Sequence, residues 1–154
     1  MTESDVYYSR PDVDYMKTVE CLRVRSRDGF AEITYKPASD RRTTSNEGVI
    51  SKHELNVLLN GMLQADVAQQ LLTAIGMIKL ATVVKHRQTF THSSMPDVTI
   101  SVDAVDNAGL FIEVEVLNSN IDTATNALSA LESQLGIVDY PVVMSPYRDI
   151  VMGL

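Results

Sequence analysis

Two glutamates, Glu113 and Glu115, interrupt the apolar run LFIEVEVL at residues 110 to 117. Strand side chains alternate between faces. As a strand, the run puts both carboxylates on one face with Phe111, and Ile112, Val114 and Val116 on the other. Paired carboxylates are hard oxygen donors, suited to Mg2+ or Mn2+ held jointly with substrate phosphates. The same period runs through four further segments. Arg23 and Arg25 oppose Leu22 and Val24 in ECLRVR; Glu32, Thr34 and Lys36 oppose Ile33 and Tyr35 in FAEITYK. Lys85 and Arg87, with Val83 and Thr89, oppose Val84, His86, Gln88 and Phe90. Asp103, with Thr99 and Ser101, opposes Val98, Ile100 and Val102. Arg23, Arg25, Lys36, Lys85 and Arg87 together match the charge of a triphosphate, and guanidinium suits bidentate contact with phosphate oxygens. Asp103, Glu113 and Glu115 form the matching acidic set for a metal that bridges those phosphates.

Strands must carry these faces, and strand-like runs dominate: residues 5 to 8, 20 to 25, 30 to 36, 49 to 59, 80 to 91, 97 to 105 and 110 to 117. RDG at 27 to 29, MPD at 95 to 97 and DNAG at 106 to 109 carry turn signals, which favour antiparallel hairpins. Two helices are expected. Residues 64 to 75 place Val67, Leu71, Leu72 and Ile75 at helical spacing before Gly76. Residues 122 to 135 place Ala124, Ala127, Leu128, Leu131 and Leu135 together, between Asp122 as N-cap and Gly136 as C-cap. The class is α+β. Two architectures fit. A half-exposed sheet leaves its charged face in water. Alternatively, the sheet curls into an antiparallel β-barrel with the charges inside and a few helices packed outside. Seven strands are more than two helices can cover, which favours closure. A barrel interior cannot hold five unpaired cations, since each costs several kcal/mol. On this reading the lumen needs a polyanion.

Length and composition bound the rest. The 154 residues suggest one domain, 1–154, with the loop at residues 36 to 48 too short to divide two. The net charge of −7 excludes a nucleic-acid surface. Residues 89 to 154 carry one cation, Arg148, against nine acids, so the charges are segregated along the chain. No apolar run is long enough for a membrane span, and MTESDVYYSR is not a signal sequence. Cys21 is the only cysteine, so no intrachain disulfide forms; a cytoplasmic location is the expectation.

The segments DVYYSRP, ECLRVR, ITYK, KHELNV, VVKHR, VTISVDAV, LFIEVEV and PYRDIVMGL, in that order from residue 5 to the end, resemble the CYTH superfamily. That superfamily includes class IV adenylate cyclases, thiamine triphosphatases and inorganic triphosphatases. The resemblance implies an eight-stranded antiparallel triphosphate tunnel. It implies phosphate contacts from Arg23, Arg25, Lys36, Lys85 and Arg87, and metal contacts from Glu113 and Glu115 with Asp103 close by. Glu54 resembles a lumenal glutamate of the family and, with Lys85 and Arg87, is implied in catalysis. The substrate implied is ATP, thiamine triphosphate or tripolyphosphate. Two departures stand out. No E-x-E-x-K strand precedes DVYY, and the family's C-terminal lysine has no counterpart in PVVMSPYRD. The expectation is therefore a truncated tunnel lacking its first strand. An open sheet edge can recruit another chain, which makes a homodimer a further expectation.

Each feature has a plainer account. Glu113 and Glu115 could be a solvated strand face, and the cationic pairs could form cross-strand ion pairs. Arg41 and Arg42 read as solvated loop residues. His53, His86 and His92 lack metal-ligand spacing, and Cys21 has no histidine near it in sequence. Three functions remain: a triphosphate hydrolase, a class IV adenylate cyclase forming cyclic AMP and diphosphate, and a non-catalytic polyphosphate- or nucleotide-binding remnant.

Overall fold

A computed structural model describes residues 1–38 and 53–154. The loop expected at residues 36 to 48, with Arg41 and Arg42, falls largely outside the described residues, as does the start of the strand expected from residue 49. Seven strands are described: β1 (Thr2–Ser9), β2 (Cys21–Arg27), β3 (Phe30–Lys36), β4 (Leu55–Leu59), β5 (Ile78–His92), β6 (Met95–Val105) and β7 (Gly109–Val116). They form one sheet in the order β4-β3-β2-β1-β5-β6-β7, and every pairing is antiparallel. The strand order leaves β4 and β7 as edges, so the sheet is not closed among the described residues.

The hairpins follow the turn chemistry, with one correction. Gly29 (φ 69°) turns β2 into β3, and Asn107 (φ 61°) sits in the β6–β7 turn. Both adopt the left-handed region that glycine and asparagine tolerate best. The MPD turn, however, lies inside β6, because the chain already reverses at Ser93 and Ser94.

Helix α2 (Met62–Ala74) lies over β2, β3 and β4; of the four residues expected to face inward only Leu72 does. Ala65, Ala68 and Leu72 are buried against Val6, Tyr8, Val24 and Ala31, while Val67, Leu71 and Ile75 are exposed. The small side chains permit a close approach to the sheet. The helix is apolar on both sides, so periodicity could not select between them. Helix α3 (Ile121–Leu135) packs near β7, buries Leu131, and is capped by Asn120 rather than Asp122; Gly136 closes it. Two short helices had no periodic signal: α1 (Tyr15–Thr18) and α4 (Tyr147–Val151). No described helix is long and apolar enough to cross a membrane.

Strand β1 sits at the centre, between β2 and β5. Asp5 to Ser9 are all buried, because the apolar side lies under α2 and the other side lies within the charged face.

Candidate functional site

Register brings the charged positions of the strands onto one face. Asp5 lies opposite Arg25, and Glu3 lies between Arg27 on β2 and Lys85 on β5. Arg25 in turn faces Glu32, Arg87 faces Asp103, and Ser101 faces Glu113. A continuous ion-pair network runs across the sheet. The Arg25 Nε and Nη2 donate to the two Asp5 oxygens at 2.7 Å each. Glu3 accepts from Arg27 Nη1 at 3.0 Å and has Lys85 Nζ 3.2 Å away. Lys85 Nζ also lies 3.9 Å from Asp103. The Arg87 Nε and Nη2 donate to Asp103 at 2.7 and 2.6 Å, and the same Nη2 bonds to Glu113.

The five cations were expected to demand a polyanion. The chain's own carboxylates already pair with them: Glu3 and Asp5 on β1 and Asp103 on β6 are all buried. Sequence reading missed Glu3 and Asp5, although T-E-S-D shows the same two-residue alternation used elsewhere: the first strand was begun at residue 5, which left out Glu3 and made Asp5 a lone acid at its end.

Electrostatics agree with a mutually neutralised network. Burial pushes the Asp5 carboxyl up, but the Arg25 bonds and the charges of Arg23, Arg25 and Lys85 outweigh it and hold it below its ordinary value. Glu3 is likewise lowered, burial being overcome by Arg25, Lys85 and Arg87. Asp103 is lowered against its burial by the Arg87 bonds and by Lys85. Lys85 is lowered too: burial and the nearby Arg25 and Arg87 outweigh the pull of Asp5 and Glu3.

Arg23, Arg25, Lys85, Arg87, Asp103 and Glu113 therefore belong to one network. Glu115 is on the same face, opposite Thr99, and is exposed. Lys36 and Glu54 pair with each other at the β3–β4 side, with Glu54 just ahead of β4. Burial raises Glu54, and Lys36 overcomes this to bring it below its ordinary value. His86 points away, 3.8 Å from Asp106 and exposed. Among the described residues, no three His, Cys, Asp or Glu side chains are gathered as a metal centre. Asp103 accepts from Arg87 and Tyr147, and Arg87 stands between Asp103 and Glu113.

One end of the charged face is closed by α4. Tyr147 and Val151 pack on Tyr7, Val83 and Val105, and the Tyr147 ring lies 4.9 Å from that of Phe111. The Tyr147 hydroxyl donates to Asp103 Oδ2 at 3.0 Å. Burial and the Asp103 and Glu113 charges push that phenol well above its usual pKa. Arg148, 1% exposed, fastens the helix by donating to the Glu20 and Tyr15 carbonyls at 2.8 and 3.3 Å. Tyr147 is a third residue that sequence reading missed. A five-residue helix carries no periodic signal.

The family model for the CYTH domain matches residues 1–141. The curated protein "Putative adenylate cyclase MJ0240" of Methanocaldococcus jannaschii is 27% identical over 130 residues, which is 84% of this chain and 67% of that protein. The solved structure of the PH1819 protein from Pyrococcus horikoshii OT3 is similar with TM-score 0.82 at 27% identity, over 99% of this chain and 84% of that one. The PH1012 protein of the same organism shares the fold, with TM-score 0.79 at 24% identity over 97% and 82% of the two chains.

Proposed function

We propose, from the premise that this chain belongs to the CYTH domain family, that its charged face binds the triphosphate of a small molecule with a divalent cation and hydrolyses it. The observation that carries this reading is the convergence of Arg23, Arg25, Lys36, Lys85 and Arg87, from three strands, onto the face that also holds Glu113 and Glu115. Substrate phosphates would exchange for the carboxylates that now hold these cations. Lys85 and Arg87 would neutralise charge building on the phosphoryl oxygens, and Glu54 would orient the attacking water.

The donor set fits Mg2+ or Mn2+. Glu113 and Glu115 are exposed oxygen donors on one face, and such ions take one or two carboxylates with phosphates and waters completing the shell. Asp103 would join them on release from Arg87. The bound ion would supply charge neutralisation between phosphate oxygens. Ribose 3′-hydroxyl attack on the α-phosphate of ATP, giving cyclic AMP and diphosphate, needs the same grip with a different nucleophile in place.

A second reading, binding without turnover, is favoured by one observation: Arg87 bonds both Asp103 and Glu113, so a cation already holds two of the three acids of the metal set. Incubation with ATP, tripolyphosphate or thiamine triphosphate, each with Mg2+ or Mn2+, separates the outcomes. Phosphate release is expected. Cyclic AMP instead would assign a cyclase, and thermal stabilisation without product would assign a binder. Absence of stabilisation by all three ligands would sink the shared site.

A further inference from the structure

The three arginines of the face that were expected to contact phosphate are not equivalent. Arg25 and Arg87 each commit Nε and Nη2 to a carboxylate at 2.6 to 2.7 Å. Arg23 does not. Its nearest acids are Asp5 at 3.7 Å and Glu32 at 3.9 Å, and its buried Nε has no hydrogen-bond partner. Directly across the β2–β3 pairing, Thr34 shares the register position and the face of Arg23. Thr34 is 0% exposed, and its Oγ1 also lacks a partner.

Folded proteins rarely leave one buried donor unmade, and each costs free energy in the free protein. Here two occur in a single cross-strand pair, one of them on a cation whose acids stand too far away to hydrogen-bond. A hydroxyl and a guanidinium N–H are both donors to an oxyanion. We infer that Arg23 and Thr34 form a phosphoryl-oxygen seat, in which the Arg23 Nε–H and the Thr34 hydroxyl donate to the bound triphosphate. Arg25 and Arg87 hold the scaffold until substrate arrives. Arg23, with no carboxylate within hydrogen-bonding distance, is the arginine whose Nε–H remains to be taken up by a ligand oxygen. This inference rests on the proposed triphosphate binding and assigns Thr34 a ligand role within it.

The seat predicts a signature that a structural hydroxyl would not give. Thr34→Val removes the donor at nearly constant shape. The variant is expected to bind inorganic tripolyphosphate about three- to tenfold more weakly by calorimetry in the presence of Mg2+. Its melting temperature without ligand is expected to stay equal or rise, because an unmade buried donor has been removed. Arg23→Lys keeps the charge but loses Nε–H, and is expected to weaken binding by about tenfold. Equal affinity of wild type and Thr34→Val would overturn the seat while leaving triphosphate binding intact. A clear loss of ligand-free stability in Thr34→Val would also overturn it, since the hydroxyl would then already be satisfied, for instance by a buried water. No binding by wild type would overturn both the seat and the proposed function.

Discussion

Strands β1 and β7 carry the same short pattern, two acids at alternate positions on the charged face: Glu3 and Asp5 on one, Glu113 and Glu115 on the other. Their fates differ. Asp5 is 2% exposed and gripped by both arms of Arg25, whereas Glu113 and Glu115 are exposed at an edge. The cause is position in the sheet. β1 has a cation-bearing strand on each side, Arg23, Arg25 and Arg27 on β2 and Lys85 on β5. β7 has only β6 beside it, whose facing residues are Thr99, Ser101 and Asp103. Alternation decides which face a carboxylate takes. Neighbouring strands decide whether it is consumed as structure or left for a ligand.

The largest effect is expected where the pair is consumed. Asp5→Asn leaves Arg25 buried with half of its fork unmet and removes the nearest charge from Arg23. Breaking a buried ion pair from one side costs about 3–5 kcal/mol, so urea denaturation should show a loss of that order. A loss under about 1 kcal/mol would mean that the β1 acids are as replaceable as surface charges, and the contrast with β7 would fail.

A smaller, graded effect should appear with pH. Glu3, Asp5 and Asp103 all have folded pKa values below their ordinary ones. Their stabilisation is therefore complete above the unfolded values near ~4 and is lost as pH falls through the lower folded values. In that window the unfolded chain binds more protons than the folded one, so stability rises with pH. Urea midpoints should be flat above pH about 5 and fall steeply below pH about 4. In Asp5→Asn the acid limb should be shallower, because one of its titrating groups is gone. An identical limb in both proteins would remove Asp5 from the network.

The strand faces were legible because β-structure has a period of two, and the period places Arg23, Arg25, Lys85, Arg87, Asp103, Glu113 and Glu115 without knowledge of pairing. Their neighbours were not legible. The partnership of Arg25 with Asp5 spans twenty residues of sequence, and that of Tyr147 with Asp103 spans more than forty. Such pairs exist only once strand order is set. The inward face of α2 was illegible for a different reason. Ala65 and Ala68 carry a weaker hydrophobic signal than Val67, Leu71 and Ile75, yet their small size is what lets the helix settle on Val24 and Ala31. The resemblance to the CYTH family named the tunnel and its cations. It could not foresee that a β1 carboxylate would hold Arg25 while Arg23 was left loosely paired.

The smallest effect on stability is expected at β7, and it tests the other half of the comparison. In Glu113→Gln/Glu115→Gln, Arg87 keeps both bonds to Asp103 and loses only its outer contact to Glu113. Surface substitutions of this kind usually fall within about 0.5 kcal/mol, so the urea midpoint should barely move. The ligand response should change far more. In the wild-type protein, Mg2+ should increase the thermal stabilisation given by tripolyphosphate, because carboxylates and phosphates share the ion. In the double variant that increment should disappear, while any stabilisation by tripolyphosphate alone remains or grows as two repelling charges leave. A strongly destabilised double variant would place the β7 acids in the same structural class as Glu3 and Asp5. A stable variant that keeps its Mg2+ increment would move the metal to other oxygens, with Asp103, after release from Arg87, the next in line on the same face.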